Sequence, residues 1–403
     1  MRELHGFPMV LSLSPLAFPP TIDSAHFGDF GREVSGVRPS RLSEEEFAKI
    51  EEALYKHDLL LFRNVILTPQ QQYELVKAFD PESEQYGHGN RELEKSKASI
   101  LSYLKCLPDV PQVQIIGHGT VRDHEGISEI TLKHGRHAEF HKTRVSEEDE
   151  AKGFTRFLRW HMDAALYDLN PPKVTALYGI KVPEGPMQTV RYDDGTGDEL
   201  EVTLGTTAFV SGKIMFDIMP KELKSLAVRS RAKYAPHPFL WMRNAKAKPT
   251  GLGLETEGLE TPLGELPAWD EGKVKTYPFT WKNPVAGGLH LQVHPCAIVE
   301  VDIDPLPPNA ERQDARFPEG GHLADLQEIR DLVYEMQRPG IAPNLVYPHP
   351  WEERDLVLFN NRGLIHSVVG VFKEGQVRLF HQCNLAASDE PLGPSREDYA
   401  RFV

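Results

Sequence analysis

Two histidines and one aspartate have the types and spacing of a metal site. His161 and Asp163 are separated by a single residue, and His366 follows a short apolar run late in the chain. Residues 157–160 have the composition of a strand, so that His161 and Asp163, two positions apart, project from one face and can chelate one ion. Two imidazoles and one carboxylate hold one face of an octahedral Fe(II) ion and leave three positions open. The sequence therefore predicts a metal centre with open coordination sites.

The His-x-Asp pattern alone is weak evidence, because a chain with 17 histidines contains roughly one such triplet by chance. A second candidate lies nearby, where His137, Glu139 and His141 are spaced for a metal on a helix or strand. Its neighbours are basic and show no strand periodicity, so we interpret it as a loop at the surface or facing the substrate. The acidic run at 147–150 is interpreted as a solvated face.

A polar stripe follows His366. Arg378, Phe380, Gln382 and Asn384 are spaced by two, so on one strand they share a face. A buried guanidinium on that face would bind a carboxylate in bidentate fashion. By itself, however, Arg378 is better interpreted as a surface arginine on an edge strand.

The elements that must position these residues are short strands separated by Gly and Pro, which favour a sandwich or small barrel. Residues 41–79 are predicted to begin with a helix, since Ser43 and Glu46 have the spacing of a capping box. Strands are predicted at 112–116, 174–178, 201–204, 289–293, 297–301, 356–359 and 377–380.

The whole chain is predicted to be one catalytic domain. Residues 1–110 form an N-terminal helical and strand elaboration, 111–387 the jelly-roll core, and 388–403 a C-terminal tail. Within the core, the aperiodic residues 243–284 are predicted to be a surface insertion. Residues 322–338 carry apolar side chains at helical spacing and are predicted to be an inserted helix.

Composition excludes several classes of protein. Net charge is −14, which argues against a broad nucleic-acid or anionic-membrane surface. Three widely separated cysteines, Cys106, Cys296 and Cys383, make a disulfide framework or thiolate metal site improbable. With no secretory or membrane-spanning pattern, we expect a cytoplasmic protein that binds small molecules.

The order and spacing of several motifs over residues 157–385 resemble the taurine dioxygenase and 2,4-D dioxygenase family of Fe(II)/2-oxoglutarate-dependent oxygenases. The motifs are Trp160-His161-Met162-Asp163, Pro171-Pro172, Gly205-Thr206-Thr207, Asp355 to His366, and Arg378. The resemblance implies a mainly β fold, a double-stranded β-helix (jelly roll) with flanking helices and long insertions. It also implies Fe(II) on His161, Asp163 and His366, and 2-oxoglutarate held by Arg378 and Thr207.

Within this family the likeness is strongest to fungal xanthine dioxygenases, mainly through residues 377–387. It implies oxidation of xanthine at C8 to uric acid, with 2-oxoglutarate and dioxygen converted to succinate and carbon dioxide. By the same resemblance Gln114 belongs to the 2-oxoglutarate side and Lys133 to the substrate side of the site. Gln382 stands where taurine dioxygenase has a second arginine, and with Asn384 it would suit a neutral heterocycle with lactam edges rather than a sulfonate.

Three alternatives remain open at this point. The same oxygenase chemistry would serve a different small molecule of the family's range. Two histidines and a carboxylate also suit Zn²⁺ in a hydrolase, although Arg378 and Thr207 would then be unexplained. A jelly roll with these residues could also be a binding module without catalysis.

Overall fold

The computed structural model describes residues 10–20, 22, 24–88 and 105–403. Among these residues, no helix has the length and apolar character needed to cross a membrane, and the cytoplasmic location stays a prediction. The first strands are β1 (Ser12–Pro15), β2 (Arg32–Ser35), β3 (Leu59–Phe62), β4 (Lys105–Cys106), β5 (Val113–His124), β6 (Ile127–Leu132), β7 (Phe154–Thr155), β8 (Val174–Lys181), β9 (Gln188–Arg191) and β10 (Glu199–Val202).

The remaining strands are β11 (Thr207–Ser211), β12 (Ser230–Tyr234), β13 (Thr276–Pro278), β14 (Thr280–Lys282), β15 (Leu289–Leu291), β16 (Ile298–Ile303), β17 (Gly321–Leu323), β18 (Tyr347–His349), β19 (Leu356–Asn360), β20 (Leu364–Val368) and β21 (Arg378–Asn384). The helices are α1 (Ser24–Phe27), α2 (Glu44–His57), α3 (Pro69–Ala78), α4 (His137–Phe140), α5 (Glu147–Ala151), α6 (Gly212–Ile218), α7 (Lys221–Arg229), α8 (Pro238–Trp241), α9 (Leu326–Gln337) and α10 (Arg396–Phe402).

Two sheets that share a buried core form the centre of the molecule. The larger runs in the order β1-β2-β3-β19-β8-β21-β5-β4, with β6 paired to β5, and the smaller runs β18-β11-β20. Side chains from both sheets pack together in one cluster, with Leu177, Phe359 and Phe380 from the larger sheet and Phe209 and Leu364 from the smaller. Alternate residues of each strand face this core, as in a sandwich. The predicted mainly β jelly-roll core with flanking helices is confirmed.

Helices α2 and α3 cover the other face of the larger sheet. Helix α2 begins at a capping box in which Ser43 accepts from the Glu46 amide and the Glu46 carboxylate accepts from the Ser43 amide, as the sequence predicts. It buries Ile50 and Leu54 in the same cluster as Leu358 of β19. Asp58 ends the helix in the left-handed conformation (φ 61°), which turns the chain directly into β3.

The inserted helix is confirmed, but it is shorter than predicted. Helix α9 spans Leu326–Gln337, and the Asp325 carboxylate caps it by accepting from the Glu328 amide. The predicted first turn, from His322, belongs instead to strand β17, which pairs with β16. A strong N-cap inside the apolar pattern therefore sets the boundary.

Two predictions made for other segments are wrong. The segment 243–284 is not simply a surface insertion, because Tyr277, Phe279 and Trp281 are buried and β13 and β14 pair with neighbouring strands. Three-residue strands are too short to produce a readable period. Residues 157–160 form no ladder either; an isolated bridge joins His161 to His366.

Candidate active site

His161, Asp163 and His366 converge, each offering one ligand atom within 4.8 Å of the others. The Nε2 atoms of His161 and His366 lie 3.9 Å and 3.8 Å from Asp163 Oδ1. The two histidine segments exchange backbone hydrogen bonds, 3.0 Å from the His161 amide and 2.8 Å from the His366 amide. Asp163 and His366 are buried, whereas the His161 side chain is 32% exposed, so the group is open on one side. This donor set fits the predicted Fe(II) ion.

Neighbouring groups orient the three side chains. His161 Nδ1 donates to the Arg159 carbonyl at 2.8 Å, which leaves Nε2 as the metal-binding atom. Asp163 Oδ2 accepts from the Thr175 hydroxyl at 2.8 Å and from Gln382 Nε2 at 3.2 Å. Such partners of the ligands commonly tune metal affinity.

The fully buried Asn361 fixes the backbone of Asp163. Its Oδ1 accepts from the Asp163 amide at 2.9 Å, and its Nδ2 donates to the carbonyls of Asp163 (2.7 Å) and Pro172 (2.9 Å). Asn361 begins the turn between β19 and β20. The loop that carries the carboxylate ligand is therefore tied to the turn that precedes the second histidine ligand.

The protonation states suit metal binding. Burial disfavours ionisation of Asp163, but the surrounding imidazoles, including a hydrogen bond from His88, favour the carboxylate, so the pKa of Asp163 lies below its ordinary value. Burial lowers the pKa of His366 to about 3 and also lowers the pKa of His161. An ionised carboxylate between neutral imidazoles is the form that binds a divalent cation.

Arg378 is a buried cation with no acidic partner among the described residues. Its Nε donates to the Gly205 carbonyl at 3.0 Å, and one terminal nitrogen lies 3.4 Å from the Thr207 hydroxyl. The guanidinium stacks on Phe380 at 3.8 Å from the ring centroid. In the part of the chain that the structure describes, no carboxylate forms an ion pair with it. Burial lowers the pKa of Arg378 to about 9, a cost that a bound anion would relieve.

Thr207 is the first residue of β11, and its hydroxyl lies beside the Arg378 guanidinium. This strand pairs with β20, and Phe209 is opposite His366 in the register, so the sheet fixes Thr207 relative to the metal ligands. The Trp351 indole donates to the Thr207 hydroxyl at 3.1 Å. Strands β9 and β10 form a hairpin that lies in the chain between the His161–Asp163 pair and Thr207.

An inner cavity of about 120 Å³ joins these groups. Among the described residues it is lined by His161, Asp163, His366, Thr207, Arg378, Gln114, Lys133, Gln382, His88, His134, Ile116, Gly117, Gly135, Leu158, Leu177 and Val368. The structure therefore brings together eight of the nine residues singled out in the sequence. Gln114 is fully buried, and its amide has no protein partner among the described residues.

Asn384 is the ninth residue, and it does not line the cavity. It shares the inward face of β21 but lies opposite Thr175, where it is fully buried. A side chain at Gly87 would meet its Oδ1 at 2.7 Å. Phe380 is likewise part of the core rather than the cavity wall. Its ring packs against the Arg378 guanidinium.

Sequence reasoning missed His88, His134, Thr175 and Asn361. His88 Nε2 lies 3.4 Å from Asp163 Oδ1, and Thr175 binds the same carboxylate. None of these four residues belongs to a local sequence pattern that indicates a metal or ligand site. Each lies at the site because of contacts with residues distant in sequence. Only the Asn361 turn had a composition signal, and this signal predicts the turn rather than its partners.

The alternative metal candidate does not assemble. His137 and His141 are buried at a short helix, α4, rather than in the predicted loop. His137 pairs with Glu150 at 3.3 Å, and His141 Nδ1 donates to the His137 carbonyl at 2.9 Å. Within the described ranges, only His161, Asp163 and His366 form a group that could hold a metal ion.

Comparison with known sequences gives a family and several relatives. Residues 18–384 match the family model described as "Taurine catabolism dioxygenase TauD, TfdA family". The alpha-ketoglutarate-dependent xanthine dioxygenase of Emericella nidulans is 48% identical over 370 residues, 92% of this chain and 95% of the relative. The alpha-ketoglutarate-dependent xanthine dioxygenase of Schizosaccharomyces pombe is 47% identical over 373 residues, covering 92% and 88%.

Solved structures share the fold at low sequence identity. A taurine dioxygenase from Burkholderia xenovorans superimposes with a TM-score of 0.54 and 16% identity, covering 95% of this chain and 91% of that one. The protein AAD-2, solved with Mn(II) and N-oxalylglycine, gives a TM-score of 0.54 and 17% identity, covering 96% and 100%. At this identity the likeness concerns the fold alone.

Proposed function

The chain belongs to the taurine catabolism dioxygenase TauD, TfdA family, and we propose that it uses Fe(II) and 2-oxoglutarate to oxidise xanthine at C8. Xanthine, 2-oxoglutarate and dioxygen would give uric acid, succinate and carbon dioxide. One observation carries the chemistry: the metal-ligand triad and an unpaired buried arginine line the same cavity. The choice of xanthine as the substrate is supported by the relatives at 47–48% identity, which are named xanthine dioxygenases.

The proposed roles at the metal follow from the donors. His161, Asp163 and His366 would hold Fe(II), and the ion would supply dioxygen activation at its open positions. The chain's own contribution is to keep both imidazoles neutral by burial and the carboxylate ionised. Asn361 and Thr175 keep that carboxylate in place, so the three ligands are already arranged before the ion arrives.

The proposed 2-oxoglutarate site extends from the metal to Arg378. The guanidinium, already fixed by Gly205 and stacked on Phe380, would pair with the far carboxylate, and the Thr207 hydroxyl lies next to the same position. An arginine fixed in this way loses little conformational entropy when it binds. Gln114, whose buried amide has no partner among the described residues, would contribute a neutral contact from β5, the strand paired with β21.

The proposed substrate contacts are one amide and one ammonium group. Gln382 Nε2 donates to Asp163, which leaves its carbonyl oxygen available to accept an N–H from the ring. Lys133 is exposed at the cavity wall and would donate to a ring carbonyl. A planar heterocycle with alternating N–H and C=O groups satisfies these partners better than a sulfonate does. Asn384, which the sequence assigned to the same substrate edge, does not line the cavity, so we propose no substrate contact for it.

Substrate-dependent succinate release tests this proposal. Purified protein with Fe(II), ascorbate and 2-oxoglutarate is supplied with xanthine, hypoxanthine, taurine and an aryloxyacetate in parallel. We expect succinate only with xanthine, and urate by its ultraviolet spectrum. Succinate released with another acceptor but not with xanthine would keep the oxygenase chemistry and reject the substrate. No succinate with any acceptor, despite Fe(II) binding, would reject the chemistry.

A further inference from the structure

His134 lies where the inner cavity meets a second, larger one. An outer cavity of about 880 Å³ is lined by residues that include Lys133, His134, Gly135 and Phe372, and the first three also line the inner cavity. Phe372, in the loop between β20 and β21, packs edge-on against the His134 ring at 5.0 Å and stacks on His118 at 4.8 Å. The imidazole is therefore held in a fixed orientation at the entrance to the metal centre.

The hydrogen bonds of His134 define which ring nitrogen can act on a ligand. Nδ1 lies 2.8 Å from the Gly135 carbonyl oxygen, which can only accept, so Nδ1 carries the proton. Nε2 is buried and has no hydrogen-bond partner in the described part of the chain. In the neutral ring Nε2 is then a bare acceptor. An unmatched buried acceptor at a ligand cavity is costly unless a ligand donates to it.

The charge of the surroundings keeps this ring neutral. Burial and the nearby Arg378 guanidinium lower the pKa of His134 to about 3. A neutral Nε2 lone pair repels a carboxylate, so it does not complement 2-oxoglutarate. It complements a neutral N–H group.

We propose that His134 determines specificity by accepting a hydrogen bond from a ring N–H of the purine substrate. This inference rests on the proposed function and names a contact additional to Gln382 and Lys133. Xanthine offers three such groups, at N1, N3 and N7 in its common tautomer. A purine in which the matching nitrogen is methylated would lose the hydrogen bond and also collide with the imidazole.

The test compares xanthine with 1-, 3- and 7-methylxanthine in wild type and in His134→Ala, which removes the acceptor and leaves room for a methyl group. We expect kcat/KM for xanthine to fall roughly tenfold to a hundredfold in the variant. For one methylxanthine only, kcat/KM relative to xanthine should rise at least tenfold. The KM for 2-oxoglutarate should change less than about twofold, a separation that a general structural defect would not produce.

Two further variants control the comparison. His134→Gln, whose amide oxygen reaches toward the Nε2 position, should recover part of the activity with xanthine. His322→Ala makes the same truncation at an exposed histidine on β17 that lines neither cavity, and it should match wild type. If His134→Ala fails to bind Fe(II) and 2-oxoglutarate, His134→Gln is compared with His134→Leu, which keeps similar bulk but has no acceptor: a higher kcat/KM for xanthine in His134→Gln than in His134→Leu, with equal KM for 2-oxoglutarate, supports the contact, and equal values in the two variants overturn it.

Equal effects on all three methylxanthines, or a change in the KM for 2-oxoglutarate alone, would overturn the inference and place His134 against the cosubstrate. A wild-type protein that makes no urate from xanthine would instead overturn the proposed function itself. The two failures are thus distinguishable.

Discussion

Replacing Arg378 by Met should greatly weaken cosubstrate binding without destabilising the metal-free protein. The guanidinium is 2% exposed, and burial lowers its pKa to about 9 from the ordinary value of 12.5. At ~1.4 kcal/mol per pKa unit this corresponds to about 5 kcal/mol of unfavourable burial. Methionine fills a similar volume without a charge, so we expect the variant to unfold at the same temperature as wild type or higher.

In the Arg378→Met variant, an unfavourable burial energy should instead arise when 2-oxoglutarate binds. The far carboxylate would then be buried without its cation, which costs ~3–5 kcal/mol for a broken buried pair, or on the order of a hundredfold to several thousandfold in the KM for 2-oxoglutarate. The assay is succinate release at saturating xanthine with 2-oxoglutarate varied. Thermal unfolding with and without 2-oxoglutarate should show a ligand-induced rise in wild type alone.

Arg229→Met is the matched control. Arg229 is equally buried but donates to the carbonyls of Asp304, Arg316 and Phe317, so its replacement should lower stability and leave the KM for 2-oxoglutarate unchanged. If Arg378→Met kept a wild-type KM, or if it were destabilised as much as Arg229→Met, the guanidinium would be a structural group and the assigned 2-oxoglutarate site would be wrong.

Three other substitutions test the site. Asn361→Ala removes three hydrogen bonds around Asp163; Fe(II) affinity measured by anaerobic titration should fall ~10–100-fold, and unchanged affinity would remove its positioning role. Thr207→Val leaves the Trp351 indole without its acceptor and should raise the KM for 2-oxoglutarate about tenfold, with the KM for xanthine as the internal control. Gln382→Leu should raise the KM for xanthine at least tenfold and weaken Fe(II) binding through Asp163; an effect on iron alone would exclude Gln382 from substrate recognition.

The sequence predicts this site best where local spacing carries the information. Two-residue alternation placed Arg378 and Gln382 on the inward face of β21, and the same alternation suggested Asn384, which lies too far along that strand to reach the cavity. Alternation fixes a face of a strand but not how far along the strand a cavity extends. His88 and His134 could not be predicted, because their positions depend on how distant segments pack.

The same distinction explains the fold. Helix α2 is predictable, since Ser43 and Glu46 form a local capping box. Buried Tyr277 and Trp281 were missed, because strands β13 and β14 have three residues each and are stabilised by partners elsewhere in the chain. Short strands depend on tertiary packing more than on intrinsic propensity.

The most direct measurement is the ratio of urate to succinate formed from xanthine by the iron-loaded protein. Xanthine and 2-oxoglutarate are held at known concentrations under air and under argon, with His366→Ala as the variant that lacks a metal ligand. We predict one urate for each succinate under air, neither product under argon, and neither from His366→Ala under air. Urate formed without 2-oxoglutarate, or succinate formed under air without urate, would contradict this prediction.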